Sequence, residues 1–193
     1  MGEIKRALIS VSDKKNIEKL AKALKDNNVE IISTGGTAKK IKSNGIKVTN
    51  ISNVTNFPEM MDGRVKTLHP NIHSGILARR NNKNDLKELD KLNISTIDLI
   101  VCNLYPFFET IDKDNIDMNE ALENIDIGGP TMIRAAAKNF PDVLVVIDPA
   151  DYDEIIKIIN NNEDITYEFR KKMAYKAFNH TAEYDSVIQE YLF

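Results

Sequence analysis

A single cysteine, Cys102, stands in a chain of 193 residues. It leaves no partner for an intrachain disulfide and excludes a zinc or iron–sulfur site built from cysteines. No apolar run approaches the roughly 20 residues that a membrane-spanning helix needs. No apolar leader precedes the first strand-like stretch, which follows directly on Met1-Gly2-Glu3-Ile4-Lys5-Arg6. Met-Gly opens the chain, but Arg6 stands where a myristoylation signal has Ser or Thr. Neither sign of charge dominates: 26 Lys and Arg against 29 Asp and Glu leave a net charge of −3. Nothing in that balance points to a nucleic-acid polymer or a membrane surface as partner. A small anionic ligand stays compatible with it, because local cation placement matters more there than net charge. A cytoplasmic protein is expected.

What is present suits a folded domain. The 42% hydrophobic and 28% charged fractions argue against disorder. A chain of this size buries on the order of 70% of the surface its unfolded form exposes, so residues 1–193 are expected to form one domain without covalent staples. Apolar stretches Ala7–Val11, Val29–Ser33, Lys47–Ser52, Asp98–Leu104 and Val143–Ile147 read as strands. Between the first two, Ile17, Leu20, Ala21 and Leu24 recur at helical spacing, with Ser12 or Asp13 placed to cap that helix. A short helix is expected from about Ala38 to Asn44, stopped by Gly45. Continuous apolar strands separated by helices predict an α/β fold, three layers (α/β/α) around a mostly parallel central sheet. Phe169, Met173, Ala177, Phe178 and Ala182 predict a long C-terminal helix or a helix pair over Thr166–Tyr191. Residues 53–80, with Pro58, Gly63, Pro70 and Gly75, show no sustained period and are expected to be irregular and functional.

Three stretches carry residue types suited to chemistry. Ser33-Thr34-Gly35-Gly36-Thr37 joins a strand to a helix. Glycines there let a backbone approach an anion, and helix-start N–H groups with two hydroxyls offer donors; a plain glycine turn with a Thr cap is the alternative. Ser10, Ser12 and Lys14 follow the first strand and fall on the same edge of a parallel sheet, where ligands bind beyond the strands' carboxyl ends. In Gly63-Arg64-Val65-Lys66-Thr67-Leu68-His69-Pro70, an extended segment puts Arg64 and Lys66 on one face; a solvated charge pair is the alternative. In Asp126-Ile127-Gly128-Gly129-Pro130, the proline sits where a first-turn proline belongs, and Met132, Ile133, Ala136 and Ala137 supply a packing face. Lys138 closes that helix. It reads either as a lysine tuned by a nearby carboxylate for proton transfer or as an exposed cation on the helix dipole. His69 and His73 have metal-ligand spacing, but Pro70 between them disfavours a helix and no companion ligand accompanies them, so no metal is expected. His180 reads as a packing or interface histidine. Asn103 and Tyr105 of Cys102-Asn103-Leu104-Tyr105-Pro106 end a strand on the same edge, and Cys102 itself contributes shape rather than nucleophilic chemistry.

Together Ser10–Lys14, Thr34–Ala38, Phe57–Met60, Gly63–Pro70, Cys102–Pro106, Asp126–Gly129, Arg134–Asn139 and Ala177–Asp185 resemble the IMP cyclohydrolase domain over essentially the whole chain. In that family it is the N-terminal domain of a bifunctional purine-biosynthesis enzyme. The glycine turn alone is shared with methylglyoxal-synthase-like domains generally. The resemblance implies a methylglyoxal-synthase-like fold, a homodimer, and an AICAR transformylase domain beyond Phe193 in the full-length protein. It implies ring closure of 5-formamido-imidazole-4-carboxamide ribonucleotide (FAICAR) to inosine monophosphate (IMP) with loss of water, and no cofactor. By the same resemblance Lys138 is the proton donor and acceptor, Asp126 positions it or the carboxamide, and Lys66 and Tyr105 polarise the formyl oxygen. Ser12, Asp13, Lys14, Thr34, Gly35, Gly36, Thr37, Arg64, Val65, Lys66, Thr67, Cys102, Asn103, Asp126 and Ile127 are the implied nucleotide-site residues. The competing functions are a methylglyoxal-synthase-like lyase acting on a triose phosphate and a regulatory phosphate-binding module without chemistry.

Overall fold

The computed structural model describes residues 3–112 and 116–193. Its first half-sheet is built by β1 (Arg6–Val11), α1 (Ile17–Asp26), β2 (Glu30–Ser33), α2 (Gly35–Ser43) and β3 (Thr49–Asn50). Then come α3 (Ile51–Thr55), a 3₁₀ turn at Met61–Gly63, α4 (Pro70–Leu77) and α5 (Lys83–Lys91). The chain returns through β4 (Leu99–Asn103), passes α6 (Phe107–Ile111), α7 (Met118–Glu123) and α8 (Gly128–Lys138), and enters β5 (Leu144–Val146). A second 3₁₀ turn (Pro149–Asp151), α9 (Tyr152–Asn160) and α10 (Tyr167–Tyr191) complete it.

The strands form one sheet in the order β3-β2-β1-β4-β5, with every pairing parallel. Crossovers that share a hand and run outward in opposite directions from β1 put their helices on opposite faces. Accordingly α1 packs with α9 on one side, while α8 packs with α4 and α10 on the other. The central stretches of the strands are apolar because both faces are covered: Ile9, Leu99, Ile100, Val101, Leu144 and Val146 are fully buried. The chain leaves β1 toward β2 and later toward β4, so the order reverses between β1 and β4, where such folds open a crevice beyond the strand ends.

Several local expectations are corrected. The first helix is preceded not by Ser12 or Asp13 as its cap but by Asn16, in a left-handed conformation at φ 58. The Asp13 Oδ1 instead accepts the Lys15 N–H at 2.9 Å, closing a local turn. Helix α2 begins at Gly35, so the two glycines lie inside its first turn rather than before it. The strand expected over Lys47–Ser52 shrinks to Thr49–Asn50, and Ile51 turns inward to start α3. Pro70 does not block a helix; it opens one, because a proline's missing N–H is no loss at the first helical position. His69 becomes the cap of that helix, its Nδ1 accepting the Asn71 N–H at 3.2 Å. Of the long helix or helix pair expected at the C-terminus, the structure has the long helix, 25 residues.

Candidate active site

A cavity of about 860 Å³ opens at the carboxyl ends of β2, β1 and β4. Four segments wall it: Ser10–Ser12 and Lys14 at the end of β1, Thr34–Thr37 at the start of α2, Met61–Arg64 with Lys66 and Thr67, and Leu122–Gly129 leading into α8.

The first two segments form a donor-rich floor. Thr34 precedes α2 with an extended backbone and caps no N–H with its side chain. The N–H groups of Gly35, Gly36 and Thr37 therefore face the cavity at the positive end of a nine-residue helix. Lys14 lies across this turn: a Cβ on Gly36 would sit 3.5 Å from its Cε. Its Nζ donates to the Ser12 carbonyl at 3.1 Å. A Cβ at Gly36 would meet the lysine stem in ordinary van der Waals contact, whereas Gly35, at φ +43, holds a backbone conformation that favours glycine.

Two neighbouring polar residues hold the floor rather than a ligand. The Thr37 hydroxyl accepts the Val11 N–H at 3.1 Å and donates to the Val11 carbonyl at 2.9 Å. Asn103 clamps the β1 loop: its Oδ1 accepts the Ser12 and Asp13 N–H groups at 2.6 and 2.9 Å, and its Nδ2 donates to the Asp13 carbonyl at 3.1 Å. Both line the cavity, yet their side chains are engaged in shaping it.

The third wall is a tight hairpin, not an extended strand. Met60 and Val65 bridge antiparallel, and Met61, Asp62 and Gly63 all have positive φ. The turn delivers Arg64 and Lys66 to the cavity by a route other than strand alternation. Arg64 reaches toward Glu123 on α7 at 3.7 Å.

The fourth wall carries the most perturbed group. Asp126 precedes α8, and its Oδ1 accepts the Gly129 N–H at 2.9 Å. Burial pushes its carboxyl above the ordinary carboxylate value; the Gly129 N–H and the Lys66 ammonium offset this only in part. Among the described residues no ion pair joins Lys66 to Asp126, so the lysine influences the carboxylate without touching it. The two glycines that follow are required by close approach. A Cβ on Gly128 would lie 2.6 Å from the Thr67 Oγ1, and one on Gly129 would strike the Asp126 carboxylate and come within 2.7 Å of Leu104 Cδ2.

The structure thus brings Ser12, Lys14, Thr34–Thr37, Arg64, Lys66, Thr67, Asn103, Tyr105, Asp126 and Ile127 to one cavity, with Tyr105 51% exposed on its rim. Four expected residues are not on its surface. Asp13 is exposed outside it, and Val65 serves the hairpin backbone. Cys102 is buried in β4 beneath the floor, where burial, with Asp126 adding to it, pushes the thiol up. Lys138 ends α8, ten residues beyond Gly128, and is exposed; at ~1.5 Å rise per residue that places it about 15 Å from the cavity end of the helix. Its pairing with Asp126 is not made within this chain. Sequence reading missed Leu122–Ile125, a wall formed by the end of α7 and the link that follows it. It also gave no role to Tyr184, which holds the Asp126 backbone; its signs were its place in the Ala177–Asp185 motif and on the buried stripe of α10. Among the described residues no group of three or more His, Cys, Asp or Glu is arranged to hold a metal ion. His73 is half-buried, and desolvation lowers its pKa.

Comparison with known proteins bears on this geometry. The family model described as "MGS-like domain" matches residues 16–131, and "AICARFT/IMPCHase bienzyme" matches residues 136–193. The chain is 57% identical to the "Bifunctional purine biosynthesis protein PurH" of Acetivibrio thermocellus over 98% of its own length and 37% of that protein's. It is 58% identical to the protein of that name from Caldicellulosiruptor saccharolyticus, over 97% and 36%. The chain therefore spans little more than a third of the curated relatives it matches. Its fold superposes on the crystal structure of ForH with a TM-score of 0.87 at 35% identity, covering 96% of this chain and 95% of that one.

Proposed function

Since the chain belongs to the MGS-like domain family and continues into the AICARFT/IMPCHase bienzyme family, we propose that it is an IMP cyclohydrolase that closes FAICAR to IMP with loss of water. The observation that carries this reading is the pairing, in one cavity, of an uncapped helix start beside Lys14 with a half-buried carboxylate that feels the Lys66 charge. The first suits a nucleotide phosphate. The second suits proton traffic at the other end of the same ligand.

Ring closure joins the carboxamide nitrogen to the formyl carbon. The nitrogen gives up one proton, the formyl oxygen gains one, and a carbinolamine forms. The formamido nitrogen then loses its proton, the hydroxyl takes one up, and water departs. An amide nitrogen is a weak nucleophile, so the protein must orient it and stabilise the oxyanion. Asp126, its pKa raised by burial, takes the nitrogen's proton. Lys66, opposite it, stabilises the developing oxyanion and returns a proton, with Tyr105 at the rim beside the formyl group. The phosphate sits on Gly35–Thr37 and Lys14, and Arg64 closes over the ligand from the hairpin. The transformylase domain of the full-length relatives, the homodimer and the cytoplasmic location belong to the same proposal.

A lyase acting on a triose phosphate would use the phosphate floor but leave the Lys66–Asp126 wall idle. The test is ultraviolet absorbance on addition of synthetic FAICAR. Catalysed appearance of the purine spectrum is expected; its absence, with methylglyoxal formed from dihydroxyacetone phosphate, replaces this reading with the lyase. Tight IMP binding without either turnover leaves the regulatory module.

A further inference from the structure

We propose that Tyr184, on the C-terminal helix α10, is the positioning residue that sets Asp126 for proton transfer. This rests on the cyclohydrolase reading of the cavity.

Asp126 lies in the link between α7 and α8, a stretch without helix or strand pairing of its own. Its backbone N–H donates to the Tyr184 hydroxyl at 2.8 Å. The same hydroxyl donates to the Asn124 carbonyl at 3.4 Å, so one oxygen spans both sides of the residue that precedes the carboxylate. The Asp126 side chain is held separately, at the Gly129 N–H. Main chain and side chain are therefore fixed from two elements, α10 and α8, and only the Gly129 contact is local in sequence.

The strut is itself rigid. Tyr184 is 8% exposed, and its ring meets Phe107 edge-on with centroids 6.4 Å apart. Phe107 is 2% exposed and is pinned on its other side by Tyr191, one more α10 residue, at 5.7 Å. Phe107 begins α6 just after the rim residue Tyr105, so the same packing ties α10 to both flanks of the cavity. Helix α10 thus does more than cover the sheet: it reaches back into the segment 16–131 and fixes the carboxylate there. Tyr184 touches no substrate and performs no step; it acts through Asp126.

Tyr184→Phe keeps the ring against Phe107 and removes only the hydroxyl. A misplacement on the order of 1 Å at a reacting group costs up to about 10²-fold. We expect kcat to fall about 10-fold or more, affinity for IMP to stay within about twofold because the phosphate floor is untouched, and amide exchange at Asp126 and Gly129 to quicken. An unchanged kcat overturns the proposal. So does a parallel loss of kcat, IMP affinity and melting temperature, which marks a packing role alone. Amide exchange keeps the test independent of the reaction. If the wild-type chain does not cyclise FAICAR, the functional reading fails. Unchanged exchange at Asp126 in the variant then sinks the strut as well, whereas faster exchange upholds it as the device that positions this carboxylate.

Discussion

Asp126 serves two requirements that oppose each other. Its carboxyl is raised above the ordinary value of 3.8, with burial as the largest cause. A folded-state pKa above the unfolded one means the fold favours the protonated form, so its contribution to stability is complete below 3.8 and is lost as pH rises through the raised value. Near neutrality the ionised carboxylate opposes folding while serving as the base. Asp126→Asn should therefore melt higher than the wild type at neutral pH, with the gap closing as the buffer approaches 3.8. The same variant should lose roughly 10²–10⁴ in rate. A lower melting temperature at neutral pH would show that the Lys66 attraction outweighs burial. Lys66 and Lys138 form the second comparison at this scale. Only Lys66 lines the cavity, so Lys66→Ala should cost on the order of 10²–10⁴ in kcat and Lys138→Ala much less. An equal loss at Lys138 would assign proton transfer to a side chain that this chain's own cavity does not contain.

At the scale of elements, the beginning of α2 decides affinity. Three N–H groups without a side-chain cap, together with Lys14, make an anion floor, while the Thr37 hydroxyl is spent on Val11. Inosine, lacking the phosphate, should bind far more weakly than IMP by calorimetry, and Lys14→Ala should erase much of that difference. Equal affinities would remove the floor from the account. This element was half legible in the sequence. Ser33-Thr34-Gly35-Gly36-Thr37 announced a strand-to-helix junction, but a helix start at Ala38 rather than Gly35 was the natural expectation, because glycine is a poor helix residue. The left-handed backbone of Gly35, at φ 43, places a glycine at the helix start in spite of that propensity. Residues 47–55 were misread for a related reason. Thr49, Ile51 and Val54 are β-branched and favour a strand, and burial of Ile51 and Thr55 overrides that preference in α3.

At the scale of the molecule, a complete cavity and a buried two-sided core lie within this one chain. It should therefore cyclise FAICAR by itself and should not formylate the amine precursor; folate-dependent formylation by this polypeptide would contradict the assignment of its activity. The parallel three-layer architecture, the carboxyl edge as the place of the site, and the residue types on three of its four walls were readable from sequence, because apolar runs, glycine junctions and charged motifs are local patterns. The fates of Lys138 and Tyr184 were not. Asp126 and Lys138 are twelve positions apart in a motif-rich stretch, yet one helix carries them to opposite ends. Asp126 and Tyr184 are 58 positions apart and meet at 2.8 Å. Which side chains face one another across the cavity depends on how α8 and α10 pack on the sheet, and that packing is set by the whole buried interior rather than by any segment's own sequence.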